Sequence, residues 1–559
     1  MSADSVNISE FTLRNSGSHV DYPEYDAGIE LRSSNKNTIT NCNILTSGSR
    51  VGVGIYLFNS SNNKISNCNI SNNFWCGFRL SEYSNKNIIK NCKITNNDMG
   101  IGIWNSPNNT ITGCNIYLND WWGIYLYSSP NSNLSSNQLW NNKWGGFYVS
   151  GSQKEHFNHT ISASNTVNGK AIYYFFDLRN QNLENLNNAG HITLAWCNNI
   201  TLLNCSLMNS DPIYLIYTVN STVKNCTLSN NPHHAIMLFF SSNNFIENCN
   251  VSNSSTAVYL SSSSNNNITN CNIWNNKQGI FLTDLSKNNI FANCDIYSNY
   301  YHGISLQHSS NNTVTNCNIY SNGVSGIRFY FYSNDNLIYL NNFINNIDNI
   351  YSSDSTNIWN SPSPITYTYK GNTYTNYLGN HWSDYTGTDA NNDGIGDTPY
   401  SINSDNDNYP LVEPFENYFL TTENIFDTGP SPNPYPSIAG IHNGTIIPNK
   451  TIIATKLYTY PCGGTGGHTE YARIWNKTWN ATATWDGYAT DWHNISFDNP
   501  VVLLANKTYN YTIRTGSYPQ IIHNQTHTTL DGSFINCTEF IDANGKKYED
   551  WIPAIKLYS

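Results

Sequence analysis

The sequence predicts an all-β protein in which a right-handed parallel β-helix (a solenoid) is followed by an antiparallel β-sandwich. Two observations predict the helix. The words Asn-Cys-x-Ile and Gly-Ile-x-Leu recur up to about residue 350, and the repeat length of about 21 to 26 residues is that of a solenoid. A third observation predicts the sandwich, because residues 438–559 lose this period and alternate as longer strands.

Each repeat indicates one coil of short strands. Apolar and polar residues alternate with period two, and Asn, Ser and Gly clusters separate the alternating pieces. In Asn-Cys-x-Ile the Cys and Ile then point to the same side, and we expect them inside the coil. They predict a ladder of buried, reduced thiols, with a soft-metal thiolate site as the alternative. The ladder consists of Cys42, Cys68, Cys92, Cys114, Cys205, Cys226, Cys249, Cys271, Cys294 and Cys317.

Other features of the repeat refine this fold. The Asn before each Cys is expected to form an amide ladder along the axis. Asn137 and Asn341 occupy the Cys slot in two weaker copies, and an excursion interrupts the repeat at about 151–195. Leucine-rich repeats have a similar period, but Leu is sparse here and helix formers are missing. We therefore expect a β-helix over residues 1–360.

Composition narrows the function. The chain has 559 residues, 12% charged residues and a net charge of -11, which argues against nucleic acid as a partner. We expect no membrane-spanning segment, since no apolar run is long enough. No signal peptide precedes the repeat, so Met1 is expected to begin a processed or excised chain. Frequent sequons after residue 440 favour a secreted glycoprotein.

The residues also carry a resemblance. The coil words, "SNTVNGKAIYY" and the closing "GNHWSDYTGTDANNDGIGDTPYSI" resemble the NosD-like right-handed β-helix proteins common on archaeal surfaces. The resemblance covers roughly residues 5–415. It implies an extracytoplasmic β-helix, usually part of a modular surface or secreted protein. The bacterial namesakes serve copper-enzyme maturation, but the sequence holds no matching metal motif.

The segment "DANNDGIGD" predicts a structural calcium site within a cap over residues 361–426. Side-chain oxygens at alternate positions, a Gly for the sharp turn and a backbone carbonyl after it are what a calcium loop needs. No Glu stands at the twelfth position, and Asp405 or Asp407 is expected to supply that carboxylate. The alternative is an Asx-rich turn without an ion. The predicted ligands are Asp389, Asn391, Asp393, Ile395 and Asp397.

The variable position of Gly-Ile-x-Leu should face outward. Aromatic residues in a row on a solenoid surface favour a binding face for glycans or a partner protein. The alternative is that the rings only stabilise neighbouring strands. The predicted binding residues are Tyr125, Tyr148, Tyr214, Tyr259 and Phe281, with Met237 in the same slot.

One turn slot carries acidic residues. Aligned on the Cys, it reads Asp98, Asp120 and Lys143 on three successive coils, with Trp121 and Trp144 directly after the last two. Paired carboxylates beside Trp rings are a weak indication of a glycosidase pair, and solvated turn residues are the stronger interpretation. His233 and its neighbour His234 are expected to be turn and packing residues. The chain lacks the acidic and His motifs of polygalacturonases and epimerases.

The C-terminal part is predicted as a separate module. A Pro-rich linker over 427–437 precedes the predicted sandwich of 438–559. Cys462 and Cys537 are the only cysteines there, and in an oxidising compartment they are the best candidates for a disulfide.

We therefore expect a secreted or cell-surface protein that builds or binds in the cell envelope or extracellular matrix. Its partners would be glycans, other envelope proteins or copies of itself. The alternative is a polysaccharide lyase or glycoside hydrolase, because β-helices host both kinds of function.

Overall fold

We describe the protein from a computed structural model. The structure describes residues 3–16, 26–47, 52–370, 372–403, 405–419, 425–477, 479–485, 487 and 493–558. Its contacts divide the chain into two compact units. The helix unit comprises Met1–Pro362, Leu378–Thr388 and Gly396–Pro410, and the C-terminal unit comprises Ser363–Tyr377, Asp389–Ile395 and Leu411–Ser559.

The first section of the β-helix consists of three parallel sheets, which each coil visits in turn. Sheet A contains Asn7–Ser9, Thr38–Thr40, Lys64–Ser66, Ile88–Lys90, Thr110–Thr112, Asn133–Ser135 and Thr160–Ile161. Sheet B contains Thr12–Ser16, Asn43–Ser47, Asn69–Ser71, Lys93–Thr95, Asn115–Tyr117, Gln138–Trp140 and Thr166–Val167. Sheet C contains Ala27–Arg32, Val53–Phe58, Cys76–Ser81, Met99–Trp104, Trp122–Tyr127 and Gly145–Ser150.

The second section repeats this plan. Sheet D contains Lys170–Phe176, His191–Ala195, Ile213–Ile216, His234–Phe239, Thr256–Ser261, Gln278–Thr283, His302–Gln307, Ser325–Tyr330 and Asp348–Ser352. Sheet E contains Arg179–Glu184, Asn198–Leu203, Thr222–Lys224, Phe245–Glu247, Asn267–Thr269, Ile290–Ala292, Thr313–Thr315 and Leu337–Tyr339. Sheet F contains Ser206–Met208, Thr227–Ser229, Asn250–Ser252, Asn272–Trp274, Asp295–Tyr297, Asn318–Tyr320, Asn342–Ile344 and His381–Trp382.

The coils stack in register, which explains the Cys-x-Ile word. Ile94 pairs with Ile116 on the next coil, and the same pairing recurs along sheets B and F. Cys92 and Ile94 are buried, while Lys93 between them is exposed. All fourteen cysteines are free and buried, so the predicted interior of thiols and aliphatic side chains is confirmed.

Two kinds of Asn hold the turns, and the amide ladder lies elsewhere than predicted. The Asn before each Cys adopts a left-handed conformation, for example at Asn270 with φ 54, which Asn tolerates better than most residues. The continuous ladder is formed by buried Asn of the Asn-Asn pairs. In it Asn289 Oδ1 accepts bonds from the backbone N (2.9 Å) and the Nδ2 (3.1 Å) of Asn266, and Asn289 bonds Asn312 in the same way.

Glycine in Gly-Ile-x-Leu is required by close packing. A Cβ built on Gly279 would lie 2.2 Å from the carbonyl oxygen of Gly303 on the next coil. A Cβ on Gly123 would lie 2.6 Å from the Gly146 oxygen and 2.8 Å from the Asn142 amide nitrogen. Backbone and amide ladder therefore leave little room for a side chain at this slot, which is Gly on most coils and the next smallest residue at Ala235 and Ala257.

A seam separates the two sections, where the predicted excursion lies. Sheet C ends at Gly145–Ser150, and the chain crosses through the short 3-10 turn Lys154–Phe157 and an antiparallel hairpin before sheet D begins. Asp211 caps the open edge, since its carboxylate accepts bonds from the Gly146 N (2.7 Å) and the Phe147 N (2.9 Å). His191 contacts the same carboxylate at 3.1 Å.

Two acidic residues close the far end of the helix unit. Asp407 is fully buried, and its carboxylate accepts bonds from the Asn380 N (2.8 Å), the Trp382 indole N (3.0 Å) and the Tyr409 N (3.0 Å). Asp405 accepts a bond from the Asn357 N at 2.9 Å. Both are engaged inside the helix unit, so the expectation that one of them completes a calcium site is not supported by these contacts. A short hairpin, Tyr400–Ile402 with Asp405–Asp407, carries them.

The C-terminal unit is antiparallel, as predicted. A hairpin, Ile365–Tyr369 with Asn372–Asn376, and the 3-10 turn Phe415–Tyr418 precede the main strands. These are Phe426–Asp427, Gly440–Ile447, Ile452–Thr459, His468–Trp475, Asn480–Thr484, Asn494–Leu503, Tyr509–Gly516, Ile521–His523, Thr526–Thr528, Phe534–Asp542, Lys547–Tyr548, Trp551–Pro553 and Ile555–Tyr558. Hydrogen bonds join eleven of them into one sheet around an apolar core, and the arrangement in two layers remains a prediction.

The predicted linker and disulfide have specific surroundings. Phe426 pairs with Leu557, and the Ser431 N donates to Gln520 at 2.8 Å, so this segment lies along the sheet. Cys462 and Cys537 are both free thiols in the structure. The Cys462 thiol faces the Pro519 carbonyl at 3.5 Å, while Cys537 lies in the strand opposite Gly444. The structure therefore holds no bond between them, and their contacts lie on different strands.

Among the residues that the structure describes, no helix is long and apolar enough to cross a membrane.

Candidate functional site

Aromatic rings contact one another continuously along the outer face of sheets C and D. We call this set the aromatic track. It comprises Trp75, Trp104, Trp121, Trp122, Tyr125, Trp144, Tyr148, His233, His234, Tyr259 and Phe281.

In the first section the track begins beside a cation. The Arg79 guanidinium lies 4.1 Å from the ring centre of Trp75 and 4.6 Å from that of Trp104. Trp104 contacts Tyr125 at 5.8 Å, and Tyr125 stacks on Tyr148 at 5.9 Å. Parallel strands bring these rings together because the outward residue of each coil lies directly over that of the previous one.

The turns before the strands add a second line of rings. Trp121 and Trp144 stack at 5.5 Å with an angle of 19° between their planes. They are 42% and 41% exposed. Trp122 joins the two lines, since it stacks on Tyr148 at 4.9 Å and contacts Trp144 at 6.4 Å. From the sequence alone, these Trp are interpreted only as neighbours of the acidic turn. Their repetition on successive coils is the signal that could have predicted a stack.

The track continues across the seam. Trp144 stacks on His233 at 5.2 Å, His233 contacts His234 at 3.9 Å, and His234 stacks on Tyr259 at 4.4 Å. Burial lowers the pKa of His233, and burial together with His233 lowers the pKa of His234. Both rings are therefore neutral at pH 7 and act as flat aromatic surfaces in the track.

The predicted aromatic stripe is only partly at the surface. Tyr125, Tyr148, Tyr259 and Phe281 are half-buried and belong to the track. Tyr214 is fully buried, so its prediction as a binding residue is wrong. The reason is the seam, where Tyr148 lies 5.4 Å and His191 lies 5.3 Å from the Tyr214 ring.

The two Asp of the acidic turn occupy the same slot on successive coils, as the alignment predicted. The Asp120 N bonds to the Asn97 carbonyl, and Asn97 donates to Asn119 Oδ1 from its backbone N at 3.0 Å and from its Nδ2 at 3.1 Å, so Asp98 lies opposite Asp120. Asp120 lies 3.8 Å from the Lys143 ammonium and is largely exposed. Burial, followed by the charge of Asp120, raises the pKa of Asp98. Asp98 therefore holds a proton more readily than an ordinary surface Asp.

The predicted calcium loop is folded by its own side chains. Asp389 accepts bonds from the Asp393 N and the Gly394 N, both at 3.0 Å, and Asp393 accepts one from the Ile395 N at 2.8 Å. Asn391 Oδ1 also accepts from the Asp393 N at 3.0 Å. Oxygen atoms from positions one, three and five thus lie around the same backbone turn, with Gly394 at φ 90.

Tyrosines of the C-terminal unit hold this loop from outside. The Tyr367 hydroxyl donates to the Asp393 carbonyl at 2.8 Å, the Tyr374 hydroxyl to that of Asn392 at 2.9 Å, and the Tyr418 hydroxyl to that of Gly394. Asp397 belongs to the helix unit, where it accepts a bond from the Thr388 hydroxyl at 2.9 Å. The loop is thus shaped by hydrogen bonds whose acceptor oxygens retain free lone pairs.

Two protein-family models match the chain. The periplasmic copper-binding protein (NosD) family matches residues 3–173, and the right handed beta helix region matches residues 212–373. The chain is a NosD-like right-handed β-helix protein. No curated protein matches this NosD-like chain.

Several solved structures match the chain with low scores. A mutant of the periplasmic alginate epimerase AlgG has a TM-score of 0.29 and 14% identity, with 56% of this chain and 64% of that chain covered. The A-module of a mannuronan C-5 epimerase from Azotobacter vinelandii has a TM-score of 0.25 and 10% identity, covering 63% of this chain and 90% of that chain. The alginate lyase from Paenibacillus sp. str. FPU-7 has a TM-score of 0.19 and 10% identity, covering 58% of this chain and 98% of that chain. At these scores the likeness says nothing about what the NosD-like chain binds.

Copper, which the family description names, does not fit the residues present. Within the described residues no three His, Cys, Asp or Glu side chains are grouped so as to hold a metal ion. The ladder thiols are buried and face backbone carbonyls, as Cys271 does at 3.3 Å from the Thr269 oxygen. The thiols therefore serve the NosD-like interior as small apolar groups.

Proposed function

We propose that this protein works outside the cytoplasm as a glycan-binding β-helix of the cell envelope or extracellular matrix. The observation that carries the proposal is the continuous aromatic track, above all the exposed Trp121–Trp144 stack. The family description names a periplasmic protein, which supports this location.

The track offers what an extended sugar chain needs. Flat rings present apolar faces, and the neighbouring turns present amides, carboxylates and hydroxyls. Rings at successive coils are spaced by about 4.8 Å, so a chain laid along the axis meets a new ring at each coil. Trp121 and Trp144 lie in turns, where they form no strand pair, and they are 42% and 41% exposed.

The proposal is tested by affinity electrophoresis in native gels that contain a neutral β-glucan, a galactomannan or polygalacturonate. Trp121→Ala combined with Trp144→Ala should weaken retention about fivefold or more, since an aromatic pair contributes about 0.5 to 1.5 kcal/mol. The matched control is Tyr297→Ala with Tyr320→Ala, which removes a stacked pair at 4.7 Å from the outer face of sheet F.

Retention equal to the unchanged protein in the double Trp variant would refute the track as the glycan site. If no polymer retains the unchanged protein, sedimentation velocity decides between the remaining roles. Self-association that depends on Trp121 and Trp144 would indicate an assembly surface in place of a glycan surface.

A second candidate is polysaccharide cleavage at Asp98 and Asp120. The raised pKa of Asp98 beside the carboxyl group of Asp120 favours it, since one carboxyl group could then donate a proton and the other accept one. Release of reducing ends or unsaturated products from the same polymers, lost in Asp98→Asn, would establish the enzyme. Equal product in Asp98→Asn would exclude this pair.

We also propose that the loop Asp389–Ile395 binds calcium in a structural role. Asp389, Asn391 and Asp393 supply side-chain oxygens, and Ile395 a backbone carbonyl, which suits the hard, oxygen-preferring Ca²⁺. Binding would neutralise two carboxylates that the fold holds close together.

A further inference from the structure

Beside the aromatic track, between its His233–Tyr259 part and the exposed Tyr300 and Tyr301, lies an open cavity of about 710 Å³. It occupies the turns that lead from sheet F to sheet D. Register fixes the order of the residues along it: Ser255 follows His233 one coil on, Lys277 follows Ser255, and Tyr301 follows Lys277. At about 4.8 Å per coil the two walls are about 14 Å apart.

The walls and floor differ in chemistry. Pro232 lines one side, and Tyr300 and Tyr301, which are 69% and 47% exposed, form the other. The two Tyr rings meet edge to face at 4.7 Å, so one of them presents a flat face. The floor carries one exposed Asn amide on each of three successive coils, namely Asn230, Asn253 and Asn275.

Lys277 supplies the only charge among the residues that line the cavity. Its side chain is exposed and forms no ion pair with any residue that the structure describes. Lys143, Lys154 and Lys224 of the helix unit each lie beside an acidic side chain, as Lys224 does beside Glu247 at 3.0 Å. Within the described residues Lys277 has no such acidic partner, so its ammonium can pair with an anionic ligand.

Two side chains at the border lack a partner. His233 Nδ1 and Gln278 Nε2 are shielded from solvent, and neither has a hydrogen-bond partner within the described chain. Gln278 directly follows Lys277, and His233 directly follows Pro232. Buried polar groups are almost always paired, and these two unpaired atoms belong to residues that adjoin the cavity in sequence without lining it.

We propose that this cavity is a subsite for one anionic sugar unit, carrying a carboxylate or a sulfate, of the glycan that lies on the aromatic track. Tyr300 stacks on the sugar, the three Asn amides bond its hydroxyls, and Lys277 pairs with its anionic group. The inference rests on the proposed glycan binding, and it further specifies that the bound glycan is anionic.

The test compares polymers that differ only in charge. Polygalacturonate is compared with its fully methyl-esterified form, and dextran sulfate with dextran, in affinity gels at low salt. The unchanged protein should be retained about fivefold or more strongly by the charged member of at least one pair. Lys277→Gln should remove that preference, while Lys90→Gln, at an exposed lysine of sheet A, should keep it.

Each outcome is decisive. If the subsite binds a carboxylate, the protein prefers the charged polymer only in the polygalacturonate pair. If it binds a sulfate, the protein prefers the charged polymer only in the dextran pair. No preference in either pair, or a preference that survives Lys277→Gln, overturns the subsite while Trp121 and Trp144 can still carry neutral binding. Unchanged retention in the double Trp variant instead refutes the proposed function. Tyr300→Ala, which keeps the lysine, should weaken both members of the preferred pair equally.

Discussion

The inside and the outside of the β-helix follow different rules. Inside, most coils keep one kind of residue at a given slot, because a side chain stacked at about 4.8 Å intervals has its own copies as neighbours. Outside, the residue type at a given slot changes from coil to coil. The left-handed position after sheets C and D is Asn at Asn59 and Asn105 but aromatic at Trp196, Tyr217 and Phe240, all with φ between 46 and 56.

Positions where the residue differs from the repeat have roles other than the stacking of coils. An aromatic residue is strained in the left-handed region. Tyr217 nevertheless stacks on Trp196 at 4.7 Å and on Phe240 at 5.1 Å, and it contacts Phe157 of the seam crossing at 5.8 Å. These rings therefore cover the seam. The aromatic track and the Lys277 cavity follow the same rule. In both, the turn before sheet C or sheet D carries aromatic residues or Lys in place of its usual residues.

The largest effect is expected inside, at a slot that is a buried Asn on most coils. Asn289→Ala removes four hydrogen bonds, two accepted from Asn266 and two donated to Ser263 and Asn312. Because it leaves buried groups unpaired, the free energy of unfolding should fall by about 3 kcal/mol or more. Urea denaturation measures it.

The control is the neighbouring residue of the same Asn-Asn pair. Asn288 is exposed and left-handed with φ 55, so Asn288→Gly should change stability by only a few tenths of a kcal/mol. Equal losses at Asn288 and Asn289 would contradict the difference between the two Asn roles.

The sequence predicted the interior well and the outer surface poorly, for a physical reason. Period-two alternation identifies Cys92 and Ile94 as interior residues because it reports local geometry. The burial of Tyr214 depends in part on Tyr148, which lies across the seam and far away in sequence. The pairing of Asp98 with Asp120 could be predicted, because both lie six residues after their Cys.

The next effect concerns the buried carboxylate at the end of the helix unit. Burial, only partly offset by bonds from Asn380, Trp382 and Tyr409, raises the pKa of Asp407 to about 6. The folded state then favours the protonated form. Stability from this group is fully present below about pH 4 and is lost as the pH rises through about 6, by about 3 kcal/mol.

Urea denaturation between pH 4 and 8 measures this dependence. Asp407→Asn should remove that component of the pH dependence, whereas Asp335→Asn, at a turn of the same helix unit, should leave it in place. A pH dependence that persists in full in Asp407→Asn would show that other groups cause it.

A smaller effect should follow from calcium. Saturation of the loop at 100 times the dissociation constant would stabilise the protein by about 2.7 kcal/mol. Removal of calcium with EGTA should lower the melting temperature, and Asp393→Ala should lower it without chelator and abolish the response to EGTA. Asp531→Ala, at an Asx turn of the same unit, should still respond to EGTA. A melting temperature indifferent to EGTA would identify the loop as an ion-free Asx turn.

The smallest effect separates the two kinds of ring stack. Tyr297 stacks on Trp274 at 6.1 Å and on Tyr320 at 4.7 Å, and these residues face one another directly across the strands of sheet F. Tyr297→Ala with Tyr320→Ala should therefore cost about 1 to 2 kcal/mol of stability, at about 0.5 to 1.5 kcal/mol per pair. Trp121→Ala with Trp144→Ala removes rings that lie in turns and are about two fifths exposed, so each contact should lie at the lower end of that range and the total loss should be about 1 kcal/mol or less. Urea denaturation of both variants gives the comparison. If the Trp pair proved as costly as the Tyr pair, its rings would serve coil stacking, and the distinction between structural and binding rings would fail.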